Sequence, residues 1–322
     1  MRYLCQRLVH AILLLLAVSF FSFVLLQLAP GDFFDEMRLN PQISERTVET
    51  IRSQYGLDRP LPIRYERWLG AVLKGDLGYS LATNSAVAPL LRVRARNTLL
   101  LSGTATVLAW LLALPIGVWS AAKRGAWGDR LGGVATSAIL AVPDLLLFLG
   151  LLLLAARTGW FPTGGMASPG IDDMSFWGKA KDVAFHLALP AAGLALVMMP
   201  VLVRHVRAAM IEALDSPFIR AARGHGIPRG RMLFRYALPV ASNALISLMG
   251  FSVATMLSTS MLTEMVLSWP GLGPLLVESI FSRDVYVVVA VAMLSSVFLV
   301  IGNLLADMLL FASDPRIRLE NE

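Results

Sequence analysis

The groups in this sequence that could carry chemistry are few and scattered. Four histidines, His10, His186, His205 and His225, and one cysteine, Cys5, share no metal-ligand spacing. No His-Glu-x-x-His is present, and no Gly-x-x-x-x-Gly-Lys-Ser/Thr exists to cradle a nucleotide phosphate. No Ser/His/acid set suggests itself, so the chain reads as non-enzymatic, with no cofactor, metal or nucleotide of its own. The polar groups that stand out lie inside long apolar runs: Asp144, Asn243, Glu264, Asn303 and Asp307. A charge at mid-bilayer costs roughly 2.5–3.5 kcal/mol on insertion scales, so such groups face protein or water. Asp144, Asn243 and Glu264 are the candidates for a path taken by a charged solute, and Asp307 falls near a membrane interface.

The densest constellation is Ser216-Pro217-Phe218-Ile219-Arg220-Ala221-Ala222-Arg223-Gly224-His225-Gly226, continuing to Leu238-Pro239. Ser216 caps a helix and Pro217 suits its first position. Gly224 or Gly226 ends it in a left-handed conformation. About two turns result, with Phe218, Ala221 and Ala222 on one face and Arg220 and Arg223 elsewhere. Helices shorter than ~12 residues are marginal alone, so this one must lean on its own chain or on another protein.

The elements around it are those of a membrane protein. Of 322 residues 56% are hydrophobic and 16% charged, well below the roughly one quarter charged of a soluble domain. The basic residues fall in the gaps between apolar runs and form no separate aromatic-interleaved patch, which argues against nucleic acid. Six runs are long enough to cross a bilayer: 9–29, 98–121, 132–156, 183–203, 238–262 and 285–311. The first is longer than a signal-peptide core and ends in Gln27-Leu28-Ala29-Pro30, with no small-x-small site, so it reads as a retained span. Counting Lys and Arg with the N-terminus inside gives 14 inside and, leaving aside the long loop 30–97, 4 outside. Both termini are therefore expected in the cytoplasm; Arg92, Arg94 and Arg96, just before the second span, sit awkwardly in that scheme.

The expected organisation is 1–29, an N-terminal segment and first span; 30–97, an external helical cap; 98–311, a five-helix core holding the helix near 216–226; and 312–322, a cytoplasmic tail. Within the cap, Ser44 to Tyr55 and Tyr65 to Val72 have helical patterns, parted by Arg59-Pro60-Leu61-Pro62, and Gly75-Asp76-Leu77-Gly78 is a turn. Pro115, Pro143, Pro190, Pro200 and Pro239 kink the spans. Trp269-Pro270-Gly271-Leu272-Gly273 cannot continue a helix; Trp269, Pro270, Gly271 and Gly273 are placed at the outer mouth, before a short helix from Pro274 to Phe281.

The 216–239 stretch resembles permease subunits of binding-protein-dependent ABC importers. Their cytoplasmic signature runs Glu-Ala-Ala, three residues, Gly, nine residues, Ile, one residue, Leu-Pro. Ala221, Ala222, Gly226, Leu238 and Pro239 fall in that register without a gap, while Arg220 and Tyr236 depart from it. The likeness extends to the first permease subunit of the dipeptide, oligopeptide and nickel uptake group. It runs through Leu28-Ala29-Pro30-Gly31-Asp32, Tyr55-Gly56-Leu57-Asp58-Arg59-Pro60, Gly75-Asp76-Leu77-Gly78-Tyr79-Ser80 and Asn97-Thr98-Leu99. It continues in Leu262-Thr263-Glu264, Ser268-Trp269-Pro270-Gly271-Leu272-Gly273, Arg283-Asp284 and Asp314-Pro315-Arg316-Ile317-Arg318.

The resemblance implies an all-α, six-span type I importer fold in a bacterial inner membrane. It also implies a second homologous permease subunit, two ATPase subunits that bind ATP and Mg, and an extracytoplasmic solute-binding protein. Phe218, Arg220, Ala221, Ala222, Arg223, Gly226, Leu238 and Pro239 would form the ATPase-coupling element. The implied solute is a di- or oligopeptide, with nickel or another small solute as the alternative. A secondary transporter would need two repeats with matching broken helices, and none is visible.

Overall fold

The computed structural model describes residues 2–28, 33–34, 44–54 and 58–313. Residues 29–32, 55–57 and 314–318, which carry part of the family resemblance, lie outside the described residues. The described residues form twelve α-helices with one small β-ribbon. The helices are α1 (Arg2–Leu28), α2 (Glu45–Gln54), α3 (Leu61–Val72), α4 (Val87–Ala122), α5 (Trp127–Ala141), α6 (Asp144–Thr158) and α7 (Phe176–Leu214). After these come α8 (Pro217–Gly224), α9 (Arg229–Met232), α10 (Leu238–Val266), α11 (Leu272–Phe281) and α12 (Val285–Ser313). The chain divides into two compact units, one of 1–97 with 270–298 and one of 98–269 with 299–322.

Five helices are each long and apolar enough to cross a membrane, and α5 with α6 makes a sixth span if the bent pair is counted as one. The expected unbroken span at 132–156 is in fact two helices meeting at 94°. Pro143 is the cause. It has no N–H to donate, its ring displaces the carbonyl four residues back, and it drives the residue before it out of helical conformation. Val142 is accordingly extended, with ψ 122°, and its N–H closes the last turn on Ile139 O. The second span also begins earlier than expected: α4 has 36 residues, about 54 Å at 1.5 Å per residue, against a hydrocarbon core of about 30 Å. Arg92, Arg94 and Arg96 lie on that surplus, ahead of the apolar run.

In the first unit, Phe23 of α1 and Trp68 of α3 bury their rings beside Val289 of α12, with Tyr65 at the edge. Ser44 caps α2 by accepting Thr47 N–H at 3.2 Å. Prolines 60 and 62 open α3 rather than merely closing the helix before it, because the first turn needs no N–H there. The ribbon pairs Tyr79 with Ala86 and Ser80 with Ser85, antiparallel; Ser80 Oγ donates to buried Asp284 Oδ2 at 2.6 Å.

In the second unit the core runs along a four-residue repeat on α4: Leu101, Ala105, Ala109 and Ala113, all fully buried, meet Leu194, Met198 and Leu202 of α7. Small residues at this spacing let helices approach closely where no water drives them together. Gly117 continues the row, and a Cβ there would come within 2.7 Å of Val206. Pro190 and Pro200 are both buried inside the 39-residue α7.

Candidate functional site

The 216–239 stretch forms a compact bracket on the second unit. Ser216 accepts Ile219 N–H at 3.4 Å, Pro217 opens α8, and the helix stops after eight residues. Gly226 supplies the left-handed turn, at φ 76°, a conformation costly for any residue with a Cβ. Gly224 stays within the helix.

The apolar face is split in a way the residue types did not indicate. Ile219 and Ala222 turn inward, 0% and 7% exposed, against Val206, Met210 and Ala213 at the end of α7. Phe218 and Ala221 face outward, with Phe218 58% exposed. So Ala222, expected on the same outward face as Phe218, is a seat on the protein's own core, and its partner in that role is Ile219. Ile219 and Ala222 are spaced i, i+3 on a strongly amphipathic helix, which marks a shared face without telling that it turns inward. Around the outward face Arg220, Arg223, His225, Arg229, Arg231 and Arg235 are exposed.

Leu238-Pro239 shapes the entry to α10. Residues Leu233–Ala237 form a π turn, in which Leu238 N–H reaches back five residues to Leu233 O. Pro239 accounts for it: a proline ring conflicts with the carbonyl four residues earlier, and one wider turn relieves the clash. The turn carries Tyr236 beneath Phe218, ring centroids 5.9 Å apart. The departure from the signature at Tyr236 therefore supports the exposed phenylalanine.

A further cluster escaped the sequence reading. Asp129, 6% exposed, receives Arg207 Nε on Oδ1 at 2.6 Å and Arg207 Nη2 on Oδ2 at 2.8 Å. Gly125 N–H donates to Oδ2 at 2.8 Å, and Ser120 Oγ to Oδ1. The only hint was a lone acid between Arg124 and Arg130; its partner lies 78 residues on.

The pathway candidates do not gather. Asn243 and Glu264 belong to one helix, 21 positions apart, which is about 31 Å of rise. Asn243 is half-buried near the start of α10, while Glu264 is fully buried near its end. Asp144 is half-buried at the first position of α6, at the elbow made by Pro143. Of the residues assigned to the mouth, Trp269 is fully buried in the core of the second unit. In the first unit, Pro270 O accepts Asn97 Nδ2 at 2.8 Å and Gly271 and Gly273 are buried. Among the described residues no three of His, Cys, Asp or Glu are grouped to hold a metal.

Known proteins resemble this chain along its whole length. Residues 113–319 match the family described as binding-protein-dependent transport system inner membrane component, and residues 1–102 match its N-terminal family. The chain belongs to this permease family. Membership makes it a multi-pass membrane protein that works with ATPase and substrate-binding components. Among curated relatives, the permease is 37% identical to the oligopeptide transport system permease protein AppB of Bacillus subtilis (strain 168), over 98% of both chains. It is 30% identical to the oligopeptide transport system permease protein OppB of Mycobacterium tuberculosis (strain ATCC 25618 / H37Rv), over 98% of this chain and 99% of that one. Among solved structures, an inward-facing form of the MetNI methionine ABC transporter superposes with a TM-score of 0.58 at 17% identity. The match covers 70% of this permease and 96% of that chain, and establishes the shared fold.

Proposed function

We propose that this permease subunit imports di- or oligopeptides, driven by ATP that its partners hydrolyse. In this reading α8 is the coupling helix: Phe218 and Ala221 enter a cleft on an ATPase subunit, with Arg220 and Arg223 at its rim. The observation that carries the proposal is the division of α8 into two faces. Ile219 and Ala222 fix the helix to the chain's own core, leaving an aromatic and a small residue uncovered on a basic surface. A chain with no nucleotide-binding motif must receive its energy from outside, and ATP must favour one access state over the other to do work. The complete machine would hold a second homologous permease, two ATP-binding subunits carrying ATP and Mg, and an extracytoplasmic solute-binding protein. The peptide substrate is supported by the names of the relatives; Asp144, Asn243 and Glu264 would act as successive stations along a path, since two of them lie too far apart for one site. Both termini face the cytoplasm, on the strength of the arginines that crowd 204–235.

Cysteine cross-linking tests the docking face. In a Cys5→Ser background co-expressed with the ATPase subunits, Ala221→Cys and His225→Cys should cross-link to an ATPase, and Ala222→Cys should not. Equal reaction at 221 and 222, or none at 221, would overturn the assignment.

A further inference from the structure

Asp129 has no part in the docking face, yet four hydrogen bonds converge on its carboxylate. Its four donors come from three places in the chain: Ser120 in the last turn of α4, Gly125 in the turn after it, and Arg207 on α7. Close backbone approach on either side leaves little play. A Cβ on Gly128 would meet the Trp119 ring at 2.3 Å, and one on Gly117 would meet Val206, next to Arg207, at 2.7 Å. Two of the four bonds form the planar fork of a guanidinium on a carboxylate, a geometry that fixes orientation as well as distance.

On the other side of Arg207 stands the seat of α8. Val206, Met210 and Ala213 are consecutive points along α7, and Ile219 rests in the cluster they form with Val118 and Ala121 of α4. From Asp129, α5 runs on as a helix to the elbow at Pro143, where Asp144 begins α6. The base of α5 and the base of α8 are therefore tied to the same two turns of α7. Buried polar networks that are fully satisfied hold one arrangement rather than a range of them.

We infer that Asp129 is a positioning residue that clasps the α4–α5 turn to α7, so that a shift of the docking helix moves α5 and its elbow along with it. The inference rests on α8 being the ATPase-coupling element. It gives the α5–α6 break a purpose: a displacement imposed at the docking helix reaches Asp144 through one rigid helix. The same turn meets the end of α7 at the surface through Arg124 and Asp215, 2.9 Å apart and exposed, and Asp129 is the buried tie beneath that pair.

Hydrogen–deuterium exchange on the assembled complex in lipid nanodiscs, with and without ATP, separates the two ideas. In the unaltered complex, protection at 217–226 and at 123–130 should change together when ATP binds. With Asp129→Asn, which keeps the shape and removes the charge, 217–226 should still respond and 123–130 should no longer follow. Transport per ATP hydrolysed should fall roughly 10-fold, within the usual range of a coupling energy, while hydrolysis persists. If 123–130 still follows in the variant, or if hydrolysis and transport fall in proportion, Asp129 is only a structural group and the inference is wrong. If 217–226 of the unaltered complex ignores ATP, the docking assignment fails first and this inference with it. Should Asp129→Asn not assemble, Ser120→Ala removes one of the four bonds and no charge. The same split, smaller, is then expected, and its absence overturns the clasp.

Discussion

The two ends of α10 are treated oppositely. At the far end Thr263, Glu264, Leu267 and Trp269 are all at most 2% exposed. Trp269 N–H bonds back to Glu264 O at 2.9 Å, Gly165 N–H holds Ser268 O at 3.1 Å, and Ser268 sits at φ 52° with Gly164 pressed against it. A serine in the left-handed region persists only where its surroundings over-determine it. At the near end Phe234, Pro239 and Val240 are exposed, and the helix enters through a π turn. One end is closed on its own chain; the other is left for something else to cover. An element that takes force from a partner needs both properties, an uncovered surface at one end and a corner that does not yield at the other.

The largest effect on the fold should come from opening the closed corner. Trp269→Ala removes a fully buried indole and leaves a cavity, at a cost of about 3–5 kcal/mol. Thermal unfolding of the purified complex measures it, and a loss under about 1 kcal/mol would mean that the corner yields after all. The π turn should respond less. Pro239→Ala restores an N–H and removes the clash, so residues 233–237 can revert to a regular helix with stability changed by about 1 kcal/mol or less. The reverted turn rotates Tyr236 away from Phe218, and ATP-driven uptake should drop while the melting temperature holds. Unchanged uptake would show that the wide turn has no share in coupling.

How much of this could be read in the residues depended on the range of the interaction. Ser216, Pro217 and Gly226 announced the start and end of α8 because capping is settled within one turn. The inward face was not legible. Phe218 and Ile219 are neighbours, both apolar, about 100° apart on the helix; only the Val206–Met210–Ala213 surface, fixed by the packing of α7, selects between them. Pro143 carried the information for a break, yet the apolar run continues across it, and hydropathy averages over a bend that backbone hydrogen bonding imposes. Asp129 and Arg207 are 78 positions apart and separated by two helices, so nothing local joins them.

The smallest effect on the fold should come from Phe218, and it bears most directly on the contrast between the two ends. The ring is 58% exposed and lies tilted against Tyr236, whereas Ile219 beside it is fully buried. Phe218→Ala leaves the seat of α8 intact, so the stability of the isolated permease should move by no more than about 0.5 kcal/mol, as for ordinary surface substitutions. An aromatic filling a desolvated pocket on a partner is another matter, and such anchors cost about 2 kcal/mol or more when truncated. Association with the ATPase should then weaken by about 30-fold at 1.4 kcal/mol per decade. Melting of the permease alone and capture of the ATPase by immobilised permease read the two quantities separately. If melting drops and capture holds, the exposed ring belongs to the fold and the near end of α10 is not the open one. If capture alone drops, the helix that cannot stand by itself is held by two surfaces, one on each side: Ile219 inside the chain and Phe218 outside it.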